Sequence, residues 1–131
     1  MFVDANIFMA AALSSGPKAD RCREFLAKVE KGEQRAITSV LVLDEVLKVI
    51  EGTTHSREKA AAKTKRFATL PNLKVCEVTR EHFIDSLEFF RQGLQPRDAL
   101  HVAVARSNSV EKMLSYDKDF DAIRGIKRLE P

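Results

Sequence analysis

Four acidic residues stand in otherwise apolar surroundings, and together they could form a metal-dependent site. They are Asp4, Glu45, Asp98 and Asp117. Four carboxylates in one pocket repel one another strongly unless cations bind between them. Because the ligands are all oxygens, such a pocket favours Mg²⁺ or Mn²⁺ over zinc, which prefers histidine and cysteine. Bound divalent cations suit displacement at phosphorus, since they activate water, orient a phosphodiester and neutralise charge on the attacking and leaving oxygens.

Two of these acids each follow a short apolar stretch that is typical of a buried strand. Asp4 comes directly after Phe2-Val3, and Asp117 comes shortly after Met113-Leu114. In open α/β sheets ligands bind at the carboxyl ends of the strands, and parallel strands end at the same edge. We therefore expect Asp4 and Asp117 at one edge of a sheet. The alternative role for Asp4 is an ordinary helix N-cap.

Glu45 lies within a helix predicted from about Val40 to Glu51, with Ser39 as its N-cap and Gly52-Thr53-Thr54 ending it. The residues one turn before and after Glu45 on its own face are apolar. A carboxylate in that position is costly to bury unless a cation or hydrogen-bond donors compensate it. The alternative is an ion pair with Lys48.

Asp98 lies in the first turn of a helix that begins near Pro96 and is apolar nearly all round. This pattern predicts a central, buried helix. The alternative role for Asp98 is stabilisation of the helix dipole. His101, one turn later, is interpreted as a hydrogen-bonded core histidine and not as a ligand, and His82 is assigned no role.

The order of apolar patterns along the chain predicts β-α-α-β-α-α-β-α-α-β, with residues 126–129 as a further edge strand. This alternation gives a parallel sheet with helices on both faces, and right-handed crossovers restrict how it winds. The helix predicted from Ser56 to Leu70 is rich in Lys and Arg. It is either a solvated face or a rim that contacts phosphates.

The composition predicts a single globular domain over residues 1–131, with 44% hydrophobic and 31% charged residues. No uncharged apolar run approaches the roughly 20 residues that span a bilayer, and the N-terminus lacks the basic segment of a secretory signal. We therefore expect a cytoplasmic protein with no membrane partner. Cys22 and Cys76 are expected as small core residues. The net charge of +3 permits nucleic acid as a partner without requiring it.

Four motifs, in this order along the whole chain, closely resemble those of the PIN domain family, whose small bacterial and archaeal members include VapC-type toxins. They are Val3-Asp4-Ala5-Asn6, Leu43-Asp44-Glu45-Val46, Arg97-Asp98-Ala99-Leu100-His101-Val102-Ala103 and Ser115-Tyr116-Asp117-Lys118-Asp119-Phe120-Asp121. The resemblance implies a Rossmann-like three-layer α/β/α sandwich with a central parallel sheet. It also implies a Mg²⁺- or Mn²⁺-dependent endoribonuclease, in which metal-activated water hydrolyses RNA.

The resemblance also implies roles for individual residues. The acidic quartet of the family is matched by Asp4, Glu45, Asp98 and Asp117, as catalytic residues and metal ligands. Asn6 and Ser115 match polar positions that support the first and last acids, and Asp121 matches a position that is acidic in only some members.

Toxin-like members also imply partners, namely a homodimer and an antitoxin protein that covers the acidic groove. The helices between Lys18 and Glu51 are candidate partner surfaces, because their apolar residues exceed what one small sheet needs to cover. These residues are Phe25, Leu26, Val40 and Leu47. The alternative is that all four are core, which is favoured for Phe25.

Two other functions remain open at this point, and a third is disfavoured. An RNA-processing or structure-specific nuclease would use the same chemistry without an antitoxin. A catalytically silent PIN-like module would bind RNA or protein without cutting. A phosphatase of the haloacid dehalogenase type is disfavoured, because Asn6 stands where that mechanism needs a second aspartate.

Overall fold

Five short parallel strands form one central sheet in the computed structural model, which describes all residues from Met1 to Pro131. The strands are β1 (Phe2–Val3), β2 (Ala36–Ser39), β3 (Leu73–Cys76), β4 (Lys112–Leu114) and β5 (Lys127–Leu129). The helices are α1 (Ala5–Leu13), α2 (Pro17–Glu30), α3 (Val40–Thr54), α4 (Arg57–Ala68), α5 (Arg80–Arg91) and α6 (Pro96–Ser107). A 3₁₀ helix spans Lys118–Ala122. The predicted alternation and the further edge strand are confirmed.

The strand order is β3-β2-β1-β4-β5, and every neighbouring pair is parallel. Helix α1 packs against α2 and α3, α3 packs against α4, and α5 packs against α6. Because parallel crossovers are right-handed, the first four helices cover one face of the sheet and the last two cover the other. The predicted three-layer α/β/α sandwich is therefore confirmed.

The core is built around the shortest strand and the most deeply buried helix. Phe2 and Val3 of β1 are completely buried, as expected for a central strand that is covered on both faces. Helix α6 buries every residue from His101 to Ala105, which confirms the prediction of a central helix. None of the helices is both long enough and apolar enough to cross a membrane.

The predicted end of α3 at Gly52 is wrong, because the helix continues to Thr54. Glycine lowers helix stability by about 1 kcal/mol but does not forbid the helix. The hydroxyls of Thr53 and Thr54 donate back to the carbonyls one turn earlier, at 2.8 and 2.7 Å, which a helical backbone permits. The helix ends at His55, whose φ of 50° takes the left-handed conformation.

The predicted partner surface between Lys18 and Glu51 is only partly present. Leu26 is buried in the core at 6% exposure, and Phe25 is half-buried against it. Val40 and Leu47 are exposed, at 48% and 38%. The alternative that these residues are core therefore holds for Leu26 and in part for Phe25, whereas Val40 and Leu47 remain candidate partner surfaces.

Candidate active site

The carboxyl ends of β1 and β4 bring two of the acidic motifs side by side. Phe2 pairs with Met113 and Val3 with Leu114, and the backbone N–H of Asp4 donates to the Leu114 carbonyl at 3.1 Å. The chain winds outward in opposite directions from these two strands, so the crevice between them is the topological switch point of the sheet. Ligands of open α/β sheets bind at this point.

Asp4 is buried and accepts hydrogen bonds at both carboxylate oxygens. Its Oδ1 accepts from the backbone N–H of Ala5 at 2.7 Å and caps α1. Its Oδ2 accepts from Asn6 Nδ2 and from Ser115 Oγ, both at 2.6 Å. Burial nevertheless raises the pKa of Asp4, and the nearby Glu45 adds to that rise. The N-cap role is therefore confirmed, and it coexists with a position at the switch point.

Asn6 and Ser115 link Asp4 to the loop that carries Asp117. Asn6 Nδ2 also donates to Ser115 Oγ at 2.9 Å, and Asn6 Oδ1 accepts from the backbone N–H of Tyr116 at 3.3 Å. Ser115 Oγ accepts from the backbone N–H of Asp117 at 3.0 Å. Asp117 in turn caps the 3₁₀ helix, its Oδ1 accepting from Asp119 N–H at 2.9 Å. One side of the crevice is thus held by a continuous hydrogen-bond network.

Asp98 has no such support. It lies half-buried in the first turn of α6, and its carboxylate accepts no hydrogen bond and forms no ion pair. Burial first, and then the negative charges of Asp4, Asp117 and Glu45, together raise the pKa of Asp98 to about 6. Asp98 is therefore close enough to each of the other three acids for their charges to act on it.

Glu45 is compensated by one hydrogen bond and one nearby cation from α6, and the alternative pairing with Lys48 does not occur. His101 Nε2 lies 2.8 Å from Glu45 Oε1, and Arg97 Nη1 lies 3.9 Å from Glu45 Oε2. His101 is 1% exposed. Its interpretation as a hydrogen-bonded core histidine is confirmed, although its partner is one of the four acids.

Asp121 takes no part in the contacts of the four acids. It is exposed on the 3₁₀ helix, and its Oδ1 accepts from Arg128 Nε at 2.9 Å. Arg128 also donates to the Ser115 carbonyl at 3.0 Å and to Glu130 at 2.7 Å. Asp121 therefore helps to hold the arginine that braces the end of β4.

The donor set fits a hard divalent cation that retains much of its water. No group of three or more His, Cys, Asp or Glu side chains is arranged to hold one ion. Mg²⁺ is usually bound through one or two carboxylates with several waters kept, so it does not need such a group. Asp98 fits this chemistry best, because its carboxylate is unpartnered and repelled by three other acids.

Two features of the site escaped the sequence analysis. Arg97 is half-exposed beside Glu45, and it is the only Lys or Arg within 4.0 Å of any of the four acids. The contact between His101 and Glu45 spans 56 positions of sequence. Residues three or four apart on a helix share a face. The positions of Arg97 and Asp98 relative to His101 therefore indicated that all three side chains lie on one side of α6.

Comparison with known proteins shows which family and which solved structures the chain as a whole is similar to. The family model of the PIN domain matches residues 1–126. Ribonuclease VapC13 of Mycobacterium tuberculosis is 30% identical over 130 residues, covering 98% of both chains. The crystal structure of VapC20 from the same organism, a sarcin-ricin loop cleaving toxin, superposes with a TM-score of 0.77 at 22% identity, covering 99% of this chain and 98% of that one. A toxin–antitoxin complex from Klebsiella pneumoniae superposes with a TM-score of 0.66 at 17% identity, covering 96% and 94%.

Proposed function

The chain belongs to the PIN domain family, and on that premise we propose that it is a Mg²⁺- or Mn²⁺-dependent endoribonuclease, the toxin of a toxin–antitoxin pair. The observation that carries the proposal is the unpartnered carboxylate of Asp98, whose pKa burial and three neighbouring acids raise to about 6. A cation would relieve that repulsion. The curated relative at 30% identity is named a ribonuclease, which supports RNA as the substrate.

In this proposal each acid has a role that follows from its surroundings. Asp4 and Asp98 are the principal ligands, and Glu45 and Asp117 complete the site directly or through water. Bound Mg²⁺ or Mn²⁺ would supply the polarisation of a phosphodiester and the activation of water. Asn6 and Ser115 hold the Asp4 carboxylate in place through their hydrogen bonds at 2.6 Å. No side-chain nucleophile is needed.

The proposal is tested by cleavage of single-stranded RNA in Mn²⁺. Asp4→Asn and Asp98→Asn should each lower the rate by more than about 100-fold, beyond the 10- to 100-fold typical of groups that only support a metal ligand. Asp85→Asn, an exposed aspartate on α5, is the matched control and should cut at the wild-type rate. Undiminished cleavage by both site variants would refute the mechanism.

The same assay separates the alternatives. Duplex and branched DNA substrates identify a structure-specific nuclease if they are cut faster than single-stranded RNA. A protein that binds RNA but cuts nothing, and does not bind Mn²⁺, is a silent binding module. A cytoplasmic location is part of the proposal, because the proposed substrate is cellular RNA.

A groove on one helical face supports the antitoxin part of the proposal. It lies between α1, α2 and α4, has a volume of about 280 Å³, and is mostly apolar. Phe67 contributes to its apolar wall. Three cations and one acid line it as well, namely Arg23, Lys63, Arg66 and Glu30. These features suit an amphipathic segment that carries acidic residues.

The outer face of α5 supports the homodimer. Phe83, Ile84, Leu87 and Phe90 are exposed there, at 56%, 56%, 38% and 52%. Large apolar side chains grouped on one exposed helix face mark an interaction surface more often than a free surface. A second copy presenting the same face would bury them symmetrically.

A further inference from the structure

His101 is a buried polar residue that the proposed chemistry does not use. It lies on α6 one turn after Asp98, is 1% exposed, and packs its ring against that of Phe2 with centroids 5.7 Å apart. Its Nε2 lies 2.8 Å from Glu45 Oε1. Its Nδ1 is buried with no hydrogen-bond partner.

These contacts fix the tautomer of the ring. A carboxylate oxygen only accepts hydrogen bonds, so the contact with Glu45 requires the proton at Nε2. A proton at Nδ1 would be a buried N–H without an acceptor, which is rarer in proteins than an unpaired acceptor. His101 therefore donates through Nε2 and leaves the Nδ1 lone pair unpaired.

An apolar side chain would fill this part of the core without leaving an unpaired atom. What the imidazole adds is its hydrogen bond to Glu45. That bond occupies Oε1, whereas Oε2 accepts no hydrogen bond and has Arg97 at 3.9 Å as its nearest cation. The carboxylate is thus fixed at one oxygen and available at the other.

We infer that His101 is a positioning residue, which fixes the Glu45 carboxylate beside the other acids through its Nε2–H and so strengthens the binding of a divalent cation. The inference rests on the proposed function, because it takes Glu45 as part of the metal site. The same face of α6 then provides both an acid, Asp98, and the donor that orients an acid from the opposite helical layer. Outer groups that orient metal ligands commonly contribute 10- to 100-fold to metal affinity.

The test is the Mn²⁺ affinity of matched variants, measured by the electron paramagnetic resonance signal of free Mn²⁺. His101→Leu removes the donor and should raise the Mn²⁺ dissociation constant about 10- to 100-fold. His101→Gln places an amide N–H near the position of Nε2 and should restore most of the affinity. Val104→Ala, at a buried position of the same helix, lowers core packing without touching an acid and should leave the affinity unchanged.

The outcomes separate this inference from the proposed function. If wild-type protein binds no Mn²⁺, or Asp98→Asn binds it equally well, the proposed function fails. If Asp98→Asn weakens binding but His101→Leu does not, or if His101→Gln is as weak as His101→Leu, only the positioning role is overturned.

A second measurement, on wild-type protein, tests the inference even if His101→Leu does not fold. Long-range ¹H–¹⁵N NMR of the metal-free protein reports which ring nitrogen carries the proton. We expect the Nε2–H tautomer, with loss of its hydrogen-bonded character in Glu45→Ala. The Nδ1–H tautomer, or an Nε2–H signal unchanged in Glu45→Ala, would overturn the inference.

Discussion

Replacing Asp98 by Asn should stabilise the metal-free protein and remove most of its response to Mn²⁺. Burial first, and then the charges of Asp4, Asp117 and Glu45, raise the pKa of Asp98 from 3.8 to about 6. Because the pKa is higher in the folded state, ionisation of Asp98 disfavours folding. The contribution of Asp98 to the stability of the metal-free protein is therefore fully present below about pH 4 and is lost as the pH rises through about 6.

The size of the effect follows from that pKa. A rise from 3.8 to about 6 corresponds to roughly 3 kcal/mol of free energy. Asp98 is only half-buried, and solvent screening reduces this figure to about 1 kcal/mol. Asp98→Asn should therefore raise the melting temperature by about 3–4 °C near neutral pH for a chain of this length. The gain should disappear near pH 4, where the wild-type carboxyl is protonated.

Thermal melting with a chelator and with millimolar Mn²⁺, at both pH values, tests this reasoning. Wild-type protein should melt higher in Mn²⁺, and Asp98→Asn should not. Glu58→Gln is the matched control, because Glu58 is an exposed acid in the first turn of α4 and loses only a weak dipole interaction. A lower melting temperature for Asp98→Asn near neutral pH with the chelator present, or an equal gain near pH 4, would refute the electrostatic account.

Three further outcomes are expected. Ser115→Ala should lower the free energy of unfolding in urea by about 1–3 kcal/mol, since it removes a donor to buried Asp4; exposed Ser15→Ala should change it by less than about 0.5 kcal/mol. Phe90→Glu should convert a dimer into a monomer in light scattering, while Ala62→Glu on α4 leaves the mass unchanged; a monomeric wild type would contradict the α5 interface. Mn²⁺ at a hundredfold excess over its dissociation constant should add about 2.7 kcal/mol of stability, reversed by chelator. No shift would favour the silent module.

The types of the elements could be predicted because their signals are local. Ser39 was expected as an N-cap and does accept from Val42 N–H, at 3.3 Å. The apolar residues of α6 predicted its burial for the same reason, since a helix that is apolar all round has to be covered. The wrong end of α3 at Gly52 shows the limit, because the cost of one glycine, about 1 kcal/mol, is too small to end a helix by itself.

The surface of α5 could not be assigned from its pattern. Phe83, Leu87 and Phe90 have the spacing of an apolar stripe, yet the structure buries Phe89 and Ser86 and leaves that stripe exposed. Periodicity shows that a helix has an apolar face. It does not show whether that face packs on its own sheet or on another molecule.

The sequence by itself determined the strand ends that carry Asp4 and Asp117 and the helical positions of Glu45 and Asp98, because hydrophobic period and capping act over a few residues. Only the tertiary structure decided what surrounds each acid. The order β3-β2-β1-β4-β5 sets β1 beside β4, so Ser115 reaches Asp4 across 111 positions of sequence. The tertiary structure likewise pairs His101 with Glu45 and leaves Asp98 without a partner. Such pairings depend on how the helical layers meet above the sheet edge.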